Sequence, residues 1–162
     1  MLATGDFPDV AIISTPLTCA NPSSNISAVS TDDIATYTWT FPDGTQMTGP
    51  TVVTDQLGLH RLEVVASNGC TVSMEEIVIG FLTGPVISIF PDVVLTCEMP
   101  STTVDAGGIP YDTNWSTPYG STTDTSVVVD TPGTYTLIIT NINGCTADTD
   151  FQVSLDLSLI HI

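Results

Sequence analysis

Four cysteines, two histidines, one arginine and fourteen aspartates are the side chains of this 162-residue sequence with the most chemistry to offer. Cys19, Cys70, Cys97 and Cys145 contain no Cys-x-x-Cys pair and have no histidine close by, which argues against a zinc or redox site and for structural disulfides. Among the three possible connectivities, Cys19–Cys70 with Cys97–Cys145 treats the two halves of the chain alike. Each such bridge closes a loop of about 50 residues, worth on the order of 4 kcal/mol in the chain-entropy model. The aspartates raise a second possibility. Asp32, Asp33, Asp124 and Asp130, with Asp148 and Asp150, offer the hard oxygen ligands that Ca2+ takes. None has the spacing of an EF-hand or a nonapeptide repeat, and aspartate is equally a former of turns, so Ca2+ stands as the minor expectation beside turn formation and solubilising charge.

Catalysis finds little support. His60 falls in a strand pattern and His161 near the end of the sequence, and no Gly-x-Ser-x-Gly elbow, phosphate loop or His-Glu-x-x-His motif accompanies them. A carboxylate pair for glycoside hydrolysis would need a deep cleft, which small β-sandwiches do not provide. The sequence therefore predicts no enzyme. Trp39 and Trp115 could stack on sugars, but each recurs at the same place in an alternating strand pattern, which makes them core anchors together with Tyr135. Tyr111 and Tyr119, in the less regular stretches beside Trp115, are the candidates to face a ligand.

Charge excludes whole classes of partner. Eighteen acidic residues against a single Arg61, with no lysine, give a formal charge of −17. A nucleic-acid binder neutralises phosphates with Lys and Arg, and an anionic membrane surface attracts the same residues, so neither is a partner here. No apolar run approaches the roughly 20 residues that span a bilayer. The first residues, Met1 to Asp6, lack a basic start and an apolar core, so they do not read as a signal peptide. Paired cysteines in a loop-rich β protein nevertheless point to an oxidising compartment, which suggests a segment of a longer exported chain.

The elements that must position these residues repeat. Gly133 to Cys145 reads as a strand with Tyr135, Leu137 and Ile139 on one face, then an Asn-Gly turn and a cysteine, and Gly58 to Cys70 is an earlier version of the same sentence. Leu17-Thr18-Cys19 returns as Leu95-Thr96-Cys97, Trp39 as Trp115, and Val52-Val53-Thr54-Asp55 as Val127-Val128-Val129-Asp130. Val10 to Ser14 predicts a first strand, answered by Val86 to Ile89. Each copy holds about seven short strands with turn signals every 8–12 residues, the pattern of a β-sandwich. The boundaries are 8–80 for the first repeat and 85–154 for the second. Gly80 to Pro85 is a short linker whose Phe81 and Leu82 should pack, and residues 155–162 are a tail with no counterpart: a linker start, a donated strand or a sequence not native to the protein.

Tyr37-Thr38-Trp39-Thr40-Phe41-Pro42-Asp43-Gly44 resembles the tryptophan strand and Asp-Gly turn of PKD domains. Gly133 to Leu137 with Asn143-Gly144-Cys145 resembles the ending of PKD-like and immunoglobulin-like repeats in large bacterial surface proteins of the adhesin type. The resemblance runs from about Pro8 to Val153, with His60 standing where the pattern has the tyrosine represented by Tyr135. It implies an all-β protein of two tandem immunoglobulin/PKD-like sandwiches, each with one disulfide, from an extracellular protein. The function it implies is a non-catalytic stalk, spacer or adhesive module whose partners are neighbouring repeats and, at its loops, a glycan or protein. The alternatives are a carbohydrate- or protein-binding module using the end loops around Tyr111, Tyr119 and Asp124, and a filament subunit that assembles by strand exchange.

Overall fold

In the computed structural model, the described residues are 6–88, 90–107 and 111–156. The chain divides into two compact units, Met1–Leu82 and Thr83–Ile162. Among the described residues all regular structure is β, and no helix is long and apolar enough to cross a membrane.

The first unit contains β1 (Ala11–Ser14), β2 (Leu17–Thr18), β3 (Ser24–Val29), β4 (Ile34–Thr40), β5 (Gln46–Thr48), β6 (Thr51–Thr54), β7 (Gly58–Ala66), β8 (Thr71–Val78) and β9 (Gly80–Phe81). One sheet runs β1-β3-β6, a second runs β5-β4-β7-β8, and β2 lies parallel to β9. Alternation decides which side chains meet between the sheets, because successive side chains of a strand point to opposite faces. Ile26 and Ala28 of β3 and Val52 of β6 meet Trp39 of β4, Leu62 and Val64 of β7 and Val78 of β8 in one core. Phe41 closes its rim, with the buried His60 edge-on at 5.2 Å.

The second unit contains β10 (Val93–Leu95), β11 (Thr102–Asp105), β12 (Asp112–Thr117), β13 (Gly120–Thr122), β14 (Ser126–Val129), β15 (Gly133–Thr140) and β16 (Thr146–Leu155). Its larger sheet runs β10-β16-β15-β12-β13, with β10 parallel to β16, and its smaller one pairs β11 with β14. Trp115, Tyr135, Leu137, Ile139, Phe151 and Val153 face Val127 and Val129 across the core. Tyr135 stacks on Phe151 at 5.5 Å.

Strand order matches between the units from β2 and β10 onward, and two expectations need correction. Residues 86–88 form no strand, and Ile89 lies outside the described residues, so β11 has no counterpart of β1 beside it among the described residues. Pro85 and Pro91 bracket this stretch and each lacks the N–H a ladder requires, whereas the nearest prolines to β1, Pro8 and Pro16, leave it room. Gly80 and Phe81, expected as linker, are strand β9. The tail from Leu157 to Ile162, including His161, lies outside the described residues, and Leu155 is the last residue of β16.

Candidate functional site

The cysteines sit in two kinds of turn, and each kind repeats its backbone hydrogen bonds in both units. In the first kind, Thr18 N–H donates to the Asn21 carbonyl at 2.9 Å while the Thr18 hydroxyl accepts from Asn21 N–H at 2.9 Å. Thr96 makes the same two bonds with Met99, both at 3.1 Å. Such a threonine replaces a backbone partner with its own hydroxyl and so fixes a tight loop. Cys19 and Cys97 follow these threonines, both at exposed positions. In the second kind, Ala66 N–H donates to Cys70 carbonyl at 2.9 Å and Gly69 N–H to Ala66 carbonyl at 2.8 Å. Asn141, Gly144 and Cys145 repeat these bonds at 3.0 and 2.9 Å. An asparagine carboxamide holds each cysteine N–H at 3.0 Å, Asn68 for Cys70 and Asn141 for Cys145. In these turns only the glycines cross into left-handed space, Gly69 at φ 87° and Gly144 at φ 76°, with no non-glycine residue at positive φ among the described residues. The turn is thus a longer loop with glycine at its bulge rather than a two-residue Asn-Gly turn, which needs positive φ at both central positions.

The expected pairing of these cysteines does not form. Cys70 and Cys97 are free thiols, whereas Cys19 and Cys145 are disulfide-bonded. The reason lies in the parallel pairing at the edge of each unit. Thr18 is level with Phe81, beyond the far end of β8, while Cys70 stands immediately before the first residue of β8. Eight residues of strand at about 3.3 Å each put roughly 25 Å between the two ends. Likewise Leu95 is level with Leu155 at the end of β16, and Cys145 immediately precedes its start, so roughly 30 Å of strand separates Cys97 from Cys145. A disulfide needs Cα atoms within about 7 Å. Neither unit can bridge its own two cysteines.

The remaining candidates distribute between core and turns. Trp39, Trp115 and Tyr135 are fully buried. Trp39 Nε1–H donates to the Gly49 carbonyl at 3.0 Å, while Trp115 Nε1 has no partner among the described residues. Tyr135 donates its hydroxyl to the Thr131 carbonyl, four residues upstream, at 3.1 Å. In the first unit His60 takes the equivalent place: it is level with Gly58 O at 3.1 Å through Nδ1 and with the Thr54 hydroxyl at 3.2 Å through Nε2. A carbonyl can only accept, so Nδ1 carries the proton and Nε2 accepts from Thr54, whose oxygen in turn accepts from Gln56 N–H at 3.0 Å. Both polar ends of the ring are thereby used in packing the core, which leaves no free base.

Tyr111 and Tyr119 are not brought together. Tyr111 is half-buried against the core just before β12, while Tyr119 is 76% exposed in the turn after β12 and hydrogen-bonds Thr131 Oγ1. Six residues of strand, roughly 20 Å, lie between them, so they do not form one aromatic platform. Asp124 belongs to the Tyr111 end, where its carboxylate accepts from Thr122 at 2.6 Å. Asp130 accepts from Thr131 at 3.2 Å, and Asp32 from Asp9 N–H at 2.8 Å. The carbonyl of Asp33 accepts from Ser67 N–H at 2.9 Å. Asp32, Asp124 and Asp130 each use a carboxylate oxygen in a hydrogen bond, whereas Asp33 contributes its main-chain carbonyl, and among the described residues no three His, Cys, Asp or Glu side chains gather as a metal site would require. Asp43 holds its turn most firmly: the Thr45 hydroxyl and N–H both donate to it, with Gln56 adding a third bond, and these hold its carboxyl below the usual carboxylate range.

A surface concavity of about 640 Å³ in the first unit is lined by Thr40, Arg61, Glu63, Ser73 and Glu75, among others, on β4, β7 and β8, where Arg61 and Glu75 pair at 3.0 Å. A nucleophile with a base is not assembled there. The signal that sequence reasoning passed over is the threonine of Leu-Thr-Cys, which builds the turn that displays the cysteine.

Residues 14–75 match the PKD domain model. No curated protein sequence matches the chain. Among solved structures, the chain is similar to a Ca2+-stabilized adhesin that helps an Antarctic bacterium reach out and bind ice, with a TM-score of 0.60 and 12% identity over 93% of this chain and 50% of that one. It is also similar to a structure from a 1.5-MDa bacterial ice-binding adhesin, at TM-score 0.57 and 13% identity, over 93% of this chain and 66% of that one. The chain thus spans half to about two thirds of these structures, and at such identities the likeness is one of fold. The resemblance to PKD-like and immunoglobulin-like adhesin repeats holds at that level.

Proposed function

We propose that the chain is a non-catalytic structural or adhesive module of an extracellular protein, two tandem immunoglobulin/PKD-like sandwiches that space or display other parts of a cell-surface molecule. The observation that carries this reading is the repetition of the same backbone hydrogen bonds in both kinds of cysteine turn, in two units of matching strand order. A chain that repeats its turns and its end geometry, while sending histidine and tryptophans into packing, has invested its sequence in architecture. The fold likeness to bacterial adhesins and the PKD match support it. Domains of this kind are in general not enzymes, and the outward-facing acidic surface suits solubility and the exclusion of nucleic acid. Partners on this reading are neighbouring repeats, with a glycan or protein surface bound elsewhere in the parent molecule.

The test is antibody labelling of cells that produce the parent protein, intact and lysed. Labelling of intact cells that mild protease treatment removes is the expected result. Labelling confined to lysed cells would overturn the surface assignment.

One observation favours a second reading, a subunit that accepts a strand from another molecule. β11 has no partner on its outer edge among the described residues, and beside it lies a groove of about 300 Å³ lined by Val86, Ile87, Ser88, Phe90, Asp105 and Leu137 among others. Unpaired edges invite strand addition. Light scattering under reducing conditions decides it: a mass that rises with concentration supports strand exchange, and a constant monomer mass removes it.

A further inference from the structure

The two free thiols, Cys70 and Cys97, are reactive groups that the spacer reading leaves unused. Cys70 lies half-buried in the Asn-Gly-Cys hairpin at one end of the first unit. Cys97 lies exposed in the Thr-Cys turn at the opposite kind of end of the second. Each has an equivalent in the other unit with the same backbone hydrogen bonds around its turn, and in each case that equivalent is disulfide-bonded: Cys145 for Cys70, Cys19 for Cys97. The chain therefore holds one bonded and one free cysteine of each turn type. The bonded set shows that both types of turn can present sulfur to a disulfide. The strand lengths show that a bridge cannot be made inside a unit.

We propose that Cys70 and Cys97 are linking thiols that join this chain to further units of the same kind. Cys97 bonds the hairpin cysteine of a following unit, and Cys70 bonds the Thr-Cys cysteine of a preceding one. This inference rests on the reading of the chain as a repeat module and gives that reading a covalent mechanism: units are joined through their ends by sulfur as well as by backbone. The complementary types make the joint directional, since each link consumes one cysteine of each kind. Chemically, the Cys97 thiolate attacks one sulfur of a low-molecular-weight disulfide such as glutathione disulfide, forming a mixed disulfide and releasing one glutathione thiolate. The thiolate of a second unit's Cys70 then attacks the Cys97 sulfur, closing the bridge and releasing the second glutathione. Two electrons pass to the oxidant, and the two protons lost by the thiols end on the two glutathiones.

A second copy of this chain serves as the probe. The purified protein, with its existing disulfide intact, is incubated at high concentration with glutathione disulfide, and its products are resolved without reductant and mapped by mass spectrometry. The expected result is a ladder of covalent multimers whose linking peptides join Cys70 to Cys97, collapsed by reductant. Cys70→Ser alone and Cys97→Ser alone lose the ladder, while a mixture of the two variants regains dimers and stops there. Both positions lie in turns, outside the cores, so the variants fold, and far-ultraviolet circular dichroism verifies this. Links that are chiefly Cys70–Cys70 or Cys97–Cys97, or that follow the proportions of random encounter, would overturn the proposal, as would thiols that only acquire glutathione. Such a failure alongside surface-labelled cells removes the linking role and leaves the spacer reading standing. Labelling only inside cells, where thiols stay reduced, removes both.

Discussion

Trp39 and Trp115 occupy matching places in matching strands, yet their indole nitrogens differ. Trp39 donates to the Gly49 carbonyl at 3.0 Å, whereas Trp115 Nε1 is buried without a partner among the described residues. Replacing either by phenylalanine removes similar apolar volume from a core, so the difference between the two variants isolates the hydrogen bond. A neutral hydrogen bond contributes about 1 kcal/mol net, and an unpaired buried donor costs rather than contributes. Trp39→Phe is therefore expected to lose about 1 kcal/mol more than Trp115→Phe in urea unfolding, and equal losses would refute the assignment. Asp43 supplies a pH-dependent counterpart. Its carboxyl is held low in the folded state by Thr45 first and Gln56 second. A depressed folded pKa means that its contribution is fully present above the ordinary value of 3.8 and fades as pH falls through the lower folded value. The stability gap between wild type and Asp43→Ala should accordingly be constant near neutrality and narrow below pH 3.8; a gap unchanged in acid would show that charge has no part in it. That tryptophans and Tyr135 would sit inside was readable from alternation alone, because a strand's period of two assigns every second residue to one face. The hydrogen-bond partner of an indole was not readable, since Gly49 is brought to Trp39 by the β4–β5 hairpin and the turn after it.

At the scale of elements, the turns were spelled out in letters and the edges were not. Asn-Gly and Asp-Gly marked their hairpins because glycine and asparagine have local reasons to be there. Gly69 makes the reason testable. Its φ of 87° is left-handed, and a Cβ there would meet nothing within 4 Å, so the cost of a side chain is conformational and not steric crowding from elsewhere. Gly69→Ala should destabilise the first unit by about 1 kcal/mol, and Gly69→Asn by less, because asparagine tolerates this region. Equal losses for the two variants would point to a cause other than φ. The edges depended on non-local register. Nothing in Leu17-Thr18-Cys19 announces that it will run parallel to Gly80-Phe81, nor that Val93–Leu95 will run parallel to the last strand of its unit. Those two unseen pairings carried Cys19 and Cys97 to the far ends of their units and overturned the expected bridges. The unpaired residues 86–88 show the same limit from another side: their alternation suggested a strand, and the flanking prolines removed two donors that a ladder would have used.

The whole molecule follows from two cores that are complete in themselves. Small sandwiches of this length are commonly thought to require an internal staple, and the sequence suggested one per repeat. Instead each unit closes its core with its own aromatic and aliphatic side chains, Trp39 with Ile26, Leu62 and Val64 in one and Trp115 with Tyr135, Leu137 and Phe151 in the other. The cysteines are left at the ends of the units, where a bridge constrains what the units are attached to more than how each one folds. Reduction should therefore spare both units. In dithiothreitol at 25 °C the β-sheet circular dichroism is expected to persist, and each unit to unfold cooperatively on heating, without the loss of about 4 kcal/mol that breaking an internal 50-residue loop would bring. Collapse of the sheet signal on reduction at 25 °C would show that the bonded cysteines hold the cores together, and the division of labour between core and sulfur would have to be reversed. Persistence would mean that folding and covalent linkage are separate properties of the chain, so that units of this kind fold first and are joined afterwards by the thiols displayed at their ends.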